Sequence, residues 1–317
     1  MFGIDDPTAV AVLPTPELPG TPGFFTEGNP ALGQAATYVR ASWLNALQQE
    51  LLNILTAAGV APSKTTYNQL LAALNTLYGR GRLLRTLVYT KIAGVQNVSI
   101  NGAAPTTTGA GTYVPGAGAT SIIAEAQGGG NSGAGASLPT AGNISLGSPG
   151  GAGAYGKSFF LVATVGASQT ITVGAAGAPV TGAAGGVGSS SSIGSLLTAP
   201  GGIGSAPLNN FPAANNANGN NSLTAAPTGA NLVSVKGGCG ALSLVVNTGV
   251  TTGILGGPGG ASQFGLGGVG VAGNTTGSAA SGNWGSGGGG VALTSSAGAA
   301  VPGGAATDGA VIIQEFA

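Results

Sequence analysis

The spacing of apolar positions changes twice along the chain, and each change marks a different kind of structure. Through residue 36 no period is visible, and Pro7, Pro14, Pro16, Pro19, Pro22 and Pro30 hold the backbone extended. Residues 1–36 are therefore predicted to form an arm, either a free tail or a strap that orders against a partner. From Thr37 to Gly79 the period becomes helical. Leu44, Leu47, Leu51, Ile54 and Ala58 recur at three- and four-residue steps, which places them on one helical seam, and Gly59 with Pro62 supplies the stop. Ser63 is the predicted N-cap of a second helix with a stripe of Tyr67, Leu70, Leu71, Leu74, Leu77 and Tyr78. Helices this short are marginal in water alone, so both stripes require cover. That cover is either an intramolecular hairpin or association of Leu44, Leu47, Leu51 and Ile54 with copies in other subunits. Trp43 falls in the same helical core.

After residue 80 the pattern shortens to β-rich runs: LLRTLVYTKI (83–92), TSIIAEA (120–126), KSFFLVATV (157–165), QTITV (169–173), NLVSV (231–235), LSLVV (242–246) and AVIIQEF (310–316). Several alternate apolar and polar residues, as half-buried strands do. Between them lie stretches such as GGGNSGAGAS and GNWGSGGGG, where glycine makes helix or sheet costly. Backbones without side chains can nevertheless approach closely and satisfy one another's N–H and C=O groups. The expected architecture is mainly β. A glycine-rich, β-sandwich-like distal domain with long Gly-rich loops (80–317) follows an extended arm (1–36) and a short two-helix stalk (37–79).

Composition narrows the function. Glycine accounts for 63 of 317 residues and charged residues for 5%, with formal net charge zero. Beyond residue 100 only Glu125, Lys157, Lys236, Asp308 and Glu315 are charged. A nucleic-acid partner is therefore not expected, because nothing is present to displace counterions from phosphates. There is no His and a single Cys, Cys239, so disulfides within the chain and Cys/His metal sites are excluded; no cofactor or metal is expected. Gly, Asn and Ser interrupt every apolar run well short of the roughly 20 residues that span a bilayer, so membrane insertion is not expected. MFGIDDPTAVAVLPTPELPG lacks the basic end and apolar core of a signal peptide, so action outside the cell implies release by lysis or within a particle.

Two stretches resemble a known family. FFTEGNPALGQAATYVRASWLNALQQELLNILTAAGVAPSKTTYNQLLAAL (24–74) is similar to a pattern found in many tail fibre proteins of phages and phage-derived particles. The likeness rests on Gly28-Asn29-Pro30, Trp43-Leu44-Asn45, Gln48, Glu50-Leu51, Ala57-Ala58-Gly59, Ser63-Lys64 and Gln69-Leu70. The second half resembles the glycine-rich domain that often ends such fibres. Its stages fall at Ile122 to Gly130, Gly150 to Ser158, Thr170 to Gly177, Ser191 to Leu196 and Gly309 to Phe316, with Phe316 in place of the usual Tyr. The resemblance implies a homotrimer made in the host cytoplasm and carried at the distal tail of a virion. It would be attached to tail-tip or baseplate proteins, and would bind a bacterial surface receptor: lipopolysaccharide, a pilus or an outer-membrane protein. The rival readings are a structural tail protein without receptor contact and a fibre-borne polysaccharide hydrolase.

Several motifs imitate chemistry. GAGAYGKS (151–158) matches the phosphate-loop spacing, but such a loop must lead into a helix, whereas FFLVATV reads as strand. A glycosidase needs paired carboxylates, and only Glu125, Asp308 and Glu315 are available after Arg80; Glu125 and Glu315 are expected at an exposed face or edge. Without His a serine triad is unavailable, and the chain is not expected to be an enzyme. Arg80, Arg82 and Arg85 form either a solvated junction or a set of partners for acids of a neighbouring subunit. Cys239 is expected as a small buried residue. The candidate receptor contacts are amides and single rings in the loops 207–222 and 273–290: Asn209, Asn210, Phe211, Asn215, Asn216, Asn218, Asn220, Asn221, Asn283 and Trp284. Phe211 and Trp284 are either exposed anchors or buried within the domain.

Overall fold

A computed structural model describes every residue except Met1, Gly79, Arg80, Asn220, Asn221, Val250, Thr251 and Asn283. It divides into two units, Met1–Arg82 and Leu83–Ala317.

The first unit holds an extended arm and two helices, α1 (Ala41–Ala57) and α2 (Gln69–Tyr78). Gly-Asn-Pro forms a tight loop: Asn29 caps the 3-10 turn Pro30–Leu32 by accepting from the Ala31 N–H at 3.1 Å, and Gly28 and Gly33 take positive φ on either side. The α1 stop is a glycine in the left-handed region. Gly59 sits at φ 68 while Val60 N–H bonds back to the Leu55 carbonyl, satisfying carbonyls that a helix end leaves open. Ser63 is not the cap of α2. Its N–H donates to Gln69 Oε1 at 2.9 Å, while Gln69 Nε2 donates to the Ala61 carbonyl at 2.6 Å, so the linker is pinned by the buried first residue of a helix that starts six positions later.

The helix pair buries little: Leu55 from α1, Gln69 and Ala73 from α2. Leu44 and Leu47 remain 50% and 47% exposed, and Leu51 and Ile54 are partly covered. Trp43 is not in a helical core; it is half-exposed and packs edge-on against Phe25 of the arm at 5.3 Å. The arm runs along its own helices. Ile4 N–H donates to Gln48 Oε1 at 2.7 Å, Asp5 pairs with Lys64 at 2.5 Å, and Ser42 donates to Glu17 at 2.9 Å.

The second unit is mainly β. Its largest sheet has six strands in the order Val233–Val235, Tyr155–Leu161, Ser121–Gln127, Ala310–Phe316, Leu83–Ile92 and Val95–Ile100, every neighbouring pair antiparallel. Alternation works as expected: Ile122, Ala124 and Ala126 face one way with Leu87, Tyr89, Val311 and Ile313. A four-stranded sheet (Thr112–Tyr113, Gln169–Thr172, Ser191–Ile193, Leu197–Ala199) covers that face, and Tyr113, Ile171, Ile193 and Leu197 complete the core. The opposite face leaves Phe159, Leu161, Val233 and Val235 between 41% and 55% exposed. The strand expected to run to Val165 ends at Leu161, and Val162–Val165 makes one helical turn closed by Gly166 at φ 75.

The glycine-rich stretches expected as loops form the interior. Along residues 128–136 every N–H donates outward, and the recipient changes with a period of three. Gly128, Asn131 and Ala134 donate to Ala154, Gly151 and Ser148. Gly129, Ser132 and Gly135 donate to Ser189, Gly186 and Ala183, and Gly130, Gly133 and Ala136 to Thr307, Gly304 and Val301. Three residues per turn is the signature of the polyproline II helix, which makes no internal hydrogen bonds. One such helix thus donates to three antiparallel neighbours, and its own carbonyls accept from Gly202, Gly177 and Gly288 of other segments. The lattice continues outward, with Gly150 and Gly153 donating to Gly288 and Gly285, and Gly287 and Gly290 to Gly260 and Gly257. At many of its glycines a side chain has no room. A Cβ on Gly153, Gly174, Gly188, Gly201 or Gly303 would overlap a neighbouring carbonyl oxygen.

The lattice separates the six-stranded sheet from a far end made of two small sheets. One contains Pro207–Pro212, Asn143–Gly147 and Val291–Thr294; the other contains Asn216–Asn218, Ser243–Asn247, Thr252–Gly256 and Val271–Ala272. Ile144, Leu146, Val245 and Ala292 form their own core. At about 3.1 Å per residue, the nine residues of 128–136 span roughly 28 Å.

Candidate functional site

The segment 207–222, expected as a loop, is strand, turn and strand over most of its length, and its amides brace the far end. Asn209 accepts from Ser137 N–H at 3.0 Å and donates to the Gly182 carbonyl at 3.0 Å. Asn210, at φ 54, accepts from both Thr140 N–H and Thr140 Oγ1 at 2.8 and 3.0 Å and from Asn143 Nδ2 at 3.2 Å. The positive φ falls at the shift in register between Leu208 and Phe211, and the side chain reaches across to the turn Thr140–Asn143 that leads into the partner strand. Asn215 accepts from Asn247 N–H at 2.6 Å, and Asn218 donates to the Leu146 and Ala206 carbonyls at 2.9 and 2.8 Å. Among the described residues the Asn216 side chain bonds only the adjacent Ala217 N–H, and it is exposed. Phe211 pairs opposite Ile144 and packs half-buried against the far-end core. Asn220, Asn221 and Asn283 lie outside the described residues.

Trp284 belongs elsewhere. Its neighbour Gly285 receives the Gly153 N–H, two residues before the strand Tyr155–Leu161, so Trp284 sits at the six-stranded-sheet end of the lattice. Phe211 faces Ile144, nine residues before Gly153, on the order of 25 Å away along the chain direction. The two rings proposed as anchors are not brought together. Trp284 also has apolar company that its sequence surroundings hide: it packs edge-on against Phe264 at 5.1 Å, which packs edge-on against Tyr155 at 5.7 Å.

The imitation motifs resolve structurally. Gly151 and Gly153 lie in the lattice, Lys157 pairs with Glu125 at 2.9 Å, and strand rather than helix follows Ser158. Glu315 is not at an exposed face or edge. It occupies an inner strand with its side chain fully buried, gripped by Arg85 Nε and Nη2 at 2.6 and 2.8 Å, by Tyr113 Oη at 2.7 Å and by Gly116 N–H at 3.1 Å. Burial pushes this carboxyl up, but the donors from Arg85, Tyr113 and Gly116 outweigh it and leave it below the ordinary carboxylate value. Burial and the hydrogen bond to Glu315 push Tyr113 well up, and burial raises Tyr89 to about 12. Arg85 thus pairs with an acid of its own chain, and Asp308 accepts from Ala176 N–H at 2.7 Å. Cys239 is exposed rather than buried. Among the described residues no cluster of His, Cys, Asp and Glu could hold a metal, and no helix is long and apolar enough to cross a membrane.

Sequence reasoning passed over a pocket of about 200 Å³ beside the aromatic chain, lined by Gly153, Tyr155, Lys236, Ser262 and Gln263 among others. Its residues come from three separate stretches, so no local motif announces it.

The chain matches no protein-family model. Part of it is 34% identical over 86 residues to "Tail fiber protein S" of Escherichia phage Mu, covering 26% of this chain and 17% of that protein. The chain is therefore similar, over about a quarter of its length, to a phage tail fibre protein.

Proposed function

We propose that this chain is a subunit of a bacteriophage tail fibre. Its N-terminal unit meets tail-tip or baseplate proteins, and the amide-rich far end of its second unit contacts a bacterial surface receptor. The observation that carries the reading is the glycine lattice, which holds a polar end on a rigid spacer, joined to the partial likeness to a tail fibre protein. Surface loops on such a frame can change without disturbing the core. Binding rather than cleavage fits the carboxylates of this unit: Glu125, Asp308 and Glu315 are each engaged by donors of the fold, and no two stand free as an acid and a base. Homotrimeric assembly would cover the half-exposed Leu44 and Leu47 and the bare Phe159 and Leu161 of the six-stranded sheet.

The test is adsorption of the full chain to susceptible cells. Leu208→Arg and Asn216→Arg, at exposed far-end positions, should each lower affinity about tenfold or more with an unchanged melting temperature. Normal adsorption by both variants, and by a chain with residues 214–216 replaced by Gly and Ser, would remove the far end from the receptor contact. A folded wild-type chain that adsorbs to no strain would be a structural tail component instead.

A further inference from the structure

The pocket beside the aromatic chain combines features that the fold does not need for itself. One wall is glycine. Gly153 and Gly237 line it, and a Cβ on either would overlap a neighbouring backbone carbonyl, so this wall stays bare backbone. Gly237 is held in place by its N–H, which donates to the buried Thr224 Oγ1 at 2.6 Å. A second wall is the tight turn Ser262–Gly265, closed by Ser262 N–H to the Gly265 carbonyl at 2.9 Å and by Phe264 N–H to Ser262 Oγ at 3.1 Å. Ser262 Oγ in turn donates to the Trp284 carbonyl at 2.5 Å, so the turn is fixed to the aromatic chain. The third element is Tyr155, whose hydroxyl is committed to Glu125 Oε2 at 2.8 Å, leaving the ring as the surface it contributes.

Two side chains at this rigid rim are uncommitted. Lys236 is exposed and, among the described residues, has no carboxylate within ion-pair distance. Gln263 is exposed and bonds nothing among the described residues. An ammonium, an amide, a ring and bare backbone around about 200 Å³ suit one small polar group, since sites for drug-sized molecules run about 300–1,000 Å³.

We propose that this pocket receives an acidic sugar residue of a bacterial surface saccharide, with Lys236 holding its carboxylate or phosphate and Gln263 a hydroxyl. The inference rests on the receptor-binding reading but concerns a place remote from the far end. An acidic peptide would supply the anion too, but a side chain on an extended strand has no use for the amide and ring together.

Cys239 is the chain's only thiol, is exposed, and follows the pocket-lining Gly238, so a fluorophore attached there reports on the site. The labelled full chain would be titrated with a hexuronate oligosaccharide, a phosphorylated oligosaccharide, a neutral oligosaccharide and a polyglutamate peptide, and the unlabelled chain would be followed by calorimetry. A saturable response to the hexuronate or the phosphorylated sugar is expected, absent with the neutral one, and the stronger of the two identifies the anion. Lys236→Gln should weaken it about tenfold or more, as loss of one charge-assisted contact does, and Lys236→Arg should retain most of it. No saturable response to either acidic sugar, an identical response in Lys236→Gln, or a response to polyglutamate alone would overturn the proposal. If the wild type adsorbs to cells while no acidic sugar binds, this inference falls and the receptor reading stands. If acidic sugar binds while the chain adsorbs to no cell, the receptor reading falls and the pocket stands.

Discussion

Gly150→Ala is the sharpest test of the glycine lattice. The added methyl would overlap the Asn131 carbonyl oxygen and lie 2.7 Å from both the Asn131 carbonyl carbon and the Ser132 oxygen. Those atoms are backbone and cannot rotate aside, so the neighbouring chain has to retreat by about 1.5 Å to reach ordinary contact. Three hydrogen bonds of 2.8–2.9 Å cross this point: Gly150 N–H to Gly288, Gly260 N–H to Gly150, and Asn131 N–H to Gly151. Each costs about 1–3 kcal/mol if its groups are left buried and unpaired, so the substitution should destabilise the unit by about 3–9 kcal/mol. That is a large part of a domain's usual 5–15 kcal/mol, and for a unit this size it lowers the melting temperature by roughly 6–36 °C. Gly111→Ala is the control, because nothing lies within 4 Å of its Cβ position and its φ is ordinary. Removing glycine freedom from the unfolded chain there should leave the protein unchanged or stabilise it by up to about 1 kcal/mol. Differential scanning calorimetry of both variants decides the matter. If Gly150→Ala melts within 2 °C of the wild type (roughly 1 kcal/mol or less by the same scaling), the close-packed backbone lattice is wrong.

Other consequences can be measured directly. Glu315 has a folded-state pKa below its ordinary 4.5, so its contribution is present above that value and is lost as pH falls through the lowered one. Acid unfolding of the wild type should begin in that range, and Glu315→Gln, which strands Arg85 and Tyr113, should lose about 3–5 kcal/mol at neutral pH and flatten the acid limb. Leu51→Asp should dissociate the oligomer in sedimentation velocity; a stable wild-type monomer at micromolar concentration would contradict the assembly proposed for α1. Lys157→Ala should alter no nucleotide affinity, and micromolar binding of ATP with magnesium that the substitution abolishes would restore the phosphate-loop reading.

Much of the fold was legible because strands declare themselves through side chains. The runs at 83–92 and 310–316 match the strands Leu83–Ile92 and Ala310–Phe316, and the breaks at Gly59 and Pro62 mark the end of α1. The lattice was less legible because its order lies in backbone donors; the possibility of stacked glycine segments could be stated, but not the period of three or the neighbours. Glu315 was misplaced for a related reason. Alternation assigns a residue to a face without saying which face is covered, and the partner that makes its burial tolerable, Arg85, is 230 positions away. The amides of 207–218 were rightly seen as dense but not as braces, since their partners Ser137, Thr140 and Asn247 lie in other segments. At Trp284, the flanking glycines hid Phe264, twenty residues earlier in sequence and 5.1 Å away in space.

The period of three also dictates how such a chain can change length. Inserting a single residue between Gly128 and Ala136 would rotate every later N–H by about 120° and direct it at the wrong neighbour, whereas three residues would restore the assignment one turn further on. Length variation among homologous lattices should therefore come in threes within these segments and be unrestricted in the connections beyond Ala136, where the chain turns towards Asn143. A reading frame of this kind, enforced by hydrogen-bond direction alone, lets the tips lengthen and shorten residue by residue while the shaft beneath them keeps step.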